Sequence, residues 1–245
     1  MEKKLYGLIG KRLDYSFSET YFAEKFSKLG LENHSYKNFE LNQISELEAL
    51  ISSQKELCGL NVTVPYKEAV MPYLDALDEV AAAIGAVNTI VFKEGKLVGS
   101  NSDTYGFQRS LAAMLKPHHE RALILGTGGA SKAIAYTLKK MGIDYRHVSR
   151  TPEEGELAYS DLNDLVVRHF PLIINTTPLG TFPDVEDCPD IPYAHLSERN
   201  LLYDLTYNPE VTAFLKEGEA QGAATLNGYR MLVLQAERSW ELWNK

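Results

Sequence analysis

The 245-residue chain is poor in cysteine: Cys58 and Cys188 stand alone, with no second pair from which a zinc site could be built. A disulfide framework and a structural metal are therefore not expected, and both thiols read as inert. Long apolar runs are also missing. No stretch is long enough to cross a bilayer, and the opening Met1-Glu-Lys-Lys-Leu-Tyr-Gly has no signal-peptide core, so the expected compartment is the cytoplasm. Basic residues are in deficit, 25 Lys and Arg against 33 Asp and Glu, for a net charge of -8. That balance argues against a nucleic-acid partner, which demands a basic face. Repeats and low-complexity tracts are absent too.

What is present is an ordinary globular composition, 44% hydrophobic and 24% charged, long enough for one large domain or two smaller ones. The position of the most informative stretch favours two. Arg121-Ala-Leu-Ile-Leu-Gly126-Thr-Gly128-Gly129-Ala130-Ser131 reads as strand, glycine turn and helix, and Gly142 supplies the helix stop. Such a turn lets backbone N–H groups and a helix amino terminus meet a pyrophosphate, because glycine alone lets the chain come that close. A dinucleotide site usually opens its domain, yet about half of this chain precedes the turn. The first half must therefore form something else.

In that half, Leu5 to Ile9 reads as a strand, followed by a helix with Phe22, Phe26 and Leu29 on one face and Gly30 at its end. Ser16 and Glu19 have capping-box spacing, while Ser16 and Ser18 together could hold a carboxylate at the helix start. Ser45 and Glu48 form a second capping box. In Cys58-Gly-Leu60-Asn61-Val62-Thr63-Val64-Pro65-Tyr66-Lys67, alternation sends Leu60, Val62 and Val64 one way and Asn61 and Thr63 the other. A polar pair on a strand expected to be apolar on both faces should look into a cleft. Lys67 then falls in a first helical turn, where the macrodipole disfavours a cation; it reads either as a solvated lysine with no task or, following a strand that faces Asn61 and Thr63 into a cleft, as a general acid or base. A helix from Leu77 to Ile84 ends at Gly85, and a strand from Ala86 to Phe92 carries Asn88, a poor strand former that needs polar partners. Glu94-Gly95 reads as a hairpin turn. Asp103 is either a helix N-cap or a partner for Lys67.

In the second half, the strand Tyr145 to Ser149 ends in Ser149-Arg150-Thr151. Arginine and hydroxyls at that tip suit a 2′-phosphate, hence NADP, although Glu153 and Glu154 follow. Between Thr151 and Pro171 there is room for one substantial helix, around Asp161 to His169, so a crossover is missing. Asn175-Thr-Thr177-Pro-Leu-Gly180 lies at a strand's carboxyl end, where open α/β sheets bind ligands. Leu201 to Leu205 is a further strand. The last helix carries Leu232, Ala236, Trp240 and Trp243 on its inner face, with Gln235 at the edge.

Taken together, the chain resembles the shikimate dehydrogenase family over almost its whole length. The likeness rests on Ser16-x-Ser18, Asn61-Val-Thr63-Val-Pro-x-Lys67, Gly85-Ala-Val-Asn88-Thr, Asn101-Ser-Asp103, Gly126-Thr-Gly128-Gly129-Ala130, Arg150-Thr151, Asn175-Thr-Thr-Pro-Leu-Gly180, Tyr203-Asp-x-x-Tyr207 and Asn227-Gly228-x-x-Met231-Leu-x-x-Gln235. It implies a two-lobed α/β protein. Residues 1–101 and 226–245 would form an α/β substrate domain with a mostly parallel sheet, and 102–225 an abbreviated Rossmann-like domain, with the C-terminal helix returning to the first lobe. The implied reaction is reduction of 3-dehydroshikimate to shikimate with NADPH, in aromatic amino acid biosynthesis.

The resemblance makes Lys67 and Asp103 the catalytic pair and assigns the substrate carboxylate to Ser16 and Ser18. Asn61, Thr63, Asn88, Tyr207 and Gln235 would complete the substrate site. Gly126, Gly128, Gly129, Ala130, Ser149, Arg150 and Thr151 would hold the cofactor's phosphate end, with Thr177, Gly228 and Met231 near its nicotinamide. The chain departs from the family pattern at Glu19, where proline is usual, at Ser149, where asparagine is usual, and at Glu154, where a second basic residue is frequent. Other readings are an NAD-dependent quinate/shikimate dehydrogenase and a non-catalytic module that binds shikimate-like ligands. The expected partner is a small-molecule substrate, with no nucleic acid or membrane, on a monomer or homodimer.

Overall fold

A computed structural model describes residues 2–13 and 16–245. The chain divides into two compact units, Met1–Ser102 with Ala236–Lys245, and Asp103–Gln235.

The first unit is built on β1 (Lys4–Gly10), α1 (Phe17–Lys28), β2 (His34–Glu40), α2 (Leu47–Ser53), β3 (Leu57–Val62), α3 (Tyr66–Ala69), β4 (Ala76–Leu77), α4 (Glu79–Ile84), β5 (Thr89–Lys93) and β6 (Lys96–Ser100). Its sheet runs β2-β1-β3-β5-β6-β4, parallel at β2/β1, β1/β3 and β6/β4 and antiparallel on either side of β5. Alternation along β1 gives the sheet a core on each face: Leu5 and Ile9 join one, Tyr6 and Leu8 the other. The β5–β6 hairpin closes through Glu94 and Gly95, both at positive φ (52° and 76°), the conformation a two-residue turn requires.

Several local expectations are corrected. Leu29 is 54% exposed and caps α1 instead of burying with Phe22 and Phe26, because the helix ends one residue earlier. Val64 is 71% exposed, since β3 stops at Val62 and the alternation stops with it. Ser45 and Glu48 do not cap; Glu46 instead accepts from the Gln43 N–H at 3.2 Å ahead of α2. The helix expected from Leu77 starts at Glu79, because Asp78 is its N-cap and accepts from Ala81 N at 2.7 Å.

The second unit comprises α5 (Asp103–Ala112), β7 (Arg121–Leu125), α6 (Gly129–Lys140), β8 (Asp144–Ser149), β9 (Leu157–Ala158), α7 (Asp164–His169), β10 (Leu172–Asn175), β11 (Leu201–Asp204), α8 (Ala213–Ala220), β12 (Ala224–Leu226) and the start of α9 (Tyr229–Trp243). Its all-parallel sheet has the order β12-β11-β10-β7-β8-β9. Renumbered within the unit, that is the 3-2-1-4-5-6 order of a doubly wound dinucleotide fold. The abbreviation is confined to the β8–β9 link, which has no helix and ends in a two-residue strand. Both faces are covered: Ala122 and Ile124 enter one core, Leu123 and Leu125 the other.

From Ala236 onward α9 belongs to the first unit. There the Trp243 indole donates to Ile90 O at 3.0 Å and lies 2.3 Å from where a Gly59 Cβ would stand, so β3 needs glycine at that point.

Candidate active site

In the first unit, chain ends and turns gather the polar residues. Asn61, at the end of β3, is 8% exposed, and its amide has no spare donor. Nδ2 donates to Asn88 O at 3.2 Å, to Thr89 Oγ1 at 3.3 Å and to Ser239 Oγ at 2.8 Å, while Oδ1 accepts from Tyr36 OH at 2.9 Å. Tyr36 in turn is hydrogen-bonded to Ser18. Asn88 is held just as firmly. Its Oδ1 accepts from Ser102 N at 2.7 Å and Thr89 Oγ1 at 3.0 Å, and its Nδ2 reaches Ser102 Oγ at 3.0 Å. Thr89, Ser102 and Ser239 close the network among themselves, with Oγ atoms 2.9 to 3.3 Å apart. Buried polar groups are tolerated only when satisfied in this way, and a satisfied network holds its members in one orientation.

Lys67 is tied to the same cluster through the backbone: Val87, the residue before Asn88, donates its N–H to Lys67 O at 2.7 Å. Thr63 donates its N–H to Ile9 O at 2.9 Å, which sets the turn from β3 into α3 beside β1. The lysine is half-buried on a single helical turn.

Ser16 is the N-cap residue of α1, yet its hydroxyl caps nothing. Among the described residues its Oγ is buried without a hydrogen-bond partner, and Glu19 accepts from Asn38 Nδ2 at 2.8 Å instead of completing a box. The capping explanation for Ser16 therefore fails. A buried hydroxyl left open in this way suits an external acceptor.

The structure thus brings Ser18, Asn61 and Asn88 together through one network, with the Lys67 carbonyl hydrogen-bonded to the residue before Asn88 and Thr63 two positions after Asn61 in the chain. Sequence reasoning missed Tyr36, Thr89, Ser102 and Ser239. Ser239 had one available signal, a serine on the apolar face of α9 and fully buried there.

In the second unit, Asp103 opens α5 and is 3% exposed. Gly106, one turn on, has 2.5 Å between its Cβ position and Met231 O, so α5 and α9 cross at van der Waals contact beside Gln235 and Met231. At the carboxyl end of β7, Gly126 has φ +103°, and a side chain there would meet Thr176 Oγ1 at 3.0 Å and Thr177 Cγ2 at 3.1 Å. The positive φ calls for glycine, and a side chain would in addition press on the two threonines. Gly128 differs, with nothing within 4 Å of its Cβ position.

Gly129 and Ala130 open α6, whose first turn has no acidic residue and whose N-cap offers no side-chain acceptor. Space in front of unbonded helix N–H groups fits a phosphate. At the tip of β8, Ser149 Oγ accepts from Thr151 N at 3.2 Å and Arg150 is exposed. That leaves a guanidinium and a threonine hydroxyl next to the strand carrying the glycine turn, a donor set that fits a 2′-phosphate.

Thr177 N and Oγ1 both donate to Asn175 Oδ1, at 3.0 and 2.6 Å. Gly228 N donates to Thr206 O at 2.9 Å, and its Cβ position lies 2.0 Å from Leu205 O. Tyr207 follows directly after Thr206 and is half-buried. Behind these residues sits Asp204, fully buried. Burial pushes its carboxyl above the ordinary range, against hydrogen bonds from Thr212, Thr206 and Asn175 that pull it down.

Residues 8–90 match the family model described as shikimate dehydrogenase substrate binding domain. The shikimate dehydrogenase (NADP(+)) of Methanococcus maripaludis is 36% identical, over 98% of this chain and 91% of that protein. A Thermus thermophilus shikimate 5-dehydrogenase solved with NADP(H) and shikimate superposes with a TM-score of 0.87 at 31% identity, over 98% of this chain and 93% of that one. A Corynebacterium glutamicum quinate dehydrogenase solved with NAD reaches the same TM-score at 26% identity, over 99% and 94%.

Proposed function

The chain belongs to the shikimate dehydrogenase family, and on that premise we propose that it reduces the ketone of 3-dehydroshikimate to shikimate with NADPH. The observation that carries this reading is the buried network that locks the Asn61 and Asn88 amides beside the turn bearing Lys67. A proton donor next to rigid polar groups is what reduction of a polyhydroxylated ring ketone requires.

Ser16 and Ser18 take the substrate carboxylate, and the open Ser16 hydroxyl supports that role. Asn61, Thr63, Asn88, Tyr207 and Gln235 receive the rest of the ring. Hydride to the ketone carbon is what bound NADPH supplies. As negative charge develops on the ketone oxygen, the Lys67 ammonium delivers the proton there, with Asp103 as its acidic counterpart in the catalytic pair. The backbone from Gly126 to Ala130, with Ser149, Arg150 and Thr151, binds the phosphates, while Thr177, Gly228 and Met231 serve the nicotinamide end.

The substrate and cofactor are small molecules, and no helix among the described residues is long and apolar enough to cross a membrane. The same reading places the protein in the cytoplasm as a monomer or homodimer. The test is the absorbance of NADPH mixed with folded protein and 3-dehydroshikimate, run in parallel with NADH and with quinate in the reverse direction. NADPH oxidation is expected to outpace that of NADH. No oxidation of either cofactor would overturn the reading, and a preference for NADH with quinate would replace it.

A further inference from the structure

Asp204 is a buried charge to which the reaction assigns no role. It ends β11, is fully buried, and spends both oxygens on structure. Oδ1 accepts from Asn175 Nδ2 at 3.1 Å and Thr206 N at 2.9 Å, and Oδ2 accepts from Thr212 Oγ1 at 2.6 Å. Each donor leads to a different segment. Through Asn175, whose Oδ1 accepts both donors of Thr177, the carboxylate reaches the loop after β10. Thr206 connects it, by way of Thr206 O, to Gly228 N at the entrance to α9. Thr206 Oγ1 also lies 3.1 Å from Thr181 Oγ1, which joins the two loops directly. Thr212 is the N-cap of α8, accepting from Leu215 N at 3.4 Å, so the third bond anchors the assembly to a helix.

A buried carboxylate is costly to keep, and a hydrophobic residue of similar size would fill the volume at no such cost. What an apolar side chain cannot do is accept three hydrogen bonds from three chain segments at once.

We propose that Asp204 is a positioning residue for the nicotinamide end of the site, holding Thr177 and Gly228 in mutual register from behind. This rests on the cofactor assignment above. It goes beyond that assignment in naming a group that touches neither ligand and yet governs affinity for one of them. Because the substrate's carboxylate end is assigned to Ser16 and Ser18 in the other unit, loss of the hub should separate the two ligands.

The test is titration of NADP+ and of shikimate separately against wild type, Asp204→Asn and Asn175→Ala, by calorimetry, alongside kcat and both KM values. Asp204→Asn keeps the shape but presents N–H groups to donors. It is expected to raise the NADP+ Kd by about tenfold or more, the cost of one to two buried donors left unpaired. The shikimate Kd should change by less than about threefold. Asn175→Ala removes the bonds to Asp204, Thr177 and Leu179 but spares those of Thr206 and Thr212, and should move NADP+ in the same direction; it decides the matter if Asp204→Asn does not fold. Unchanged NADP+ affinity in a folded variant, or equal losses for both ligands, would overturn the proposal. A wild type that binds NADP+ but does not reduce 3-dehydroshikimate would sink the functional reading while leaving this one standing.

Discussion

At the scale of single residues, the chemistry turns on Lys67. Its proposed task is proton delivery, not substrate retention, so Lys67→Ala should lower kcat by about 100-fold or more while the shikimate Kd stays within a few-fold. Steady-state kinetics with shikimate titration checks this, and equal losses in both would contradict a proton-transfer role. Glu237 offers a different test, of stability. Burial pushes its carboxyl up, but hydrogen bonds from Lys25 and Tyr21 and the Lys25 charge at 2.7 Å more than offset this and leave it below its usual range. A carboxyl with a lower pKa folded than unfolded adds stability above its unfolded pKa and loses it as pH falls through the folded one. The pair is partly exposed, so Glu237→Gln should cost about 1 kcal/mol or less at neutral pH. Urea midpoints of variant and wild type should converge below about pH 4.

At the scale of elements, the glycine turn separates space from conformation. Gly126 has positive φ and threonine side chains tight against its Cβ position, so Gly126→Ala should cost about 1–3 kcal/mol and weaken NADP+ binding together. Gly128 has φ -74° and open space before it, so Gly128→Ala should cost about 1 kcal/mol or less and yet still weaken NADP+ binding, because its methyl enters the phosphate's room. Urea melts without ligand, set against NADP+ titrations, distinguish the two. Elements of this kind were legible in the sequence because their cause is local: the glycine turn, the Glu94-Gly95 hairpin and the polar alternation around Asn61 are each written in adjacent residues. The network behind Asn61 was not. Tyr36, Thr89, Ser102 and Ser239 come from four separate segments that tertiary pairing alone brings together. For the same reason β9, two residues held by pairing with β8, left no trace in periodicity, and the full six-strand order went unseen. Val64 and Leu29 were misread because an element ended before its pattern did.

At the scale of the whole molecule, each unit carries its own pair of apolar cores and its own share of the proposed ligand contacts. A ligand stabilises a conformation only by binding it in preference to more open ones, by about 2.7 kcal/mol at a hundred times its Kd. Local openings that keep a site intact are not suppressed by its ligand. NADP+ alone should therefore slow amide hydrogen exchange at residues 126–133, 149–151 and 176–177 far more than at 61–67 or 88–89, and shikimate alone should do the reverse. Helix α9 contributes residues to both units and should register either ligand. Exchange measured by mass spectrometry with each ligand separately decides this. If one ligand protected both sets of residues to the same degree, the two sets would open as one cooperative body, and assigning 61–67 and 88–89 to the substrate and 126–133, 149–151 and 176–177 to the cofactor would have no energetic meaning.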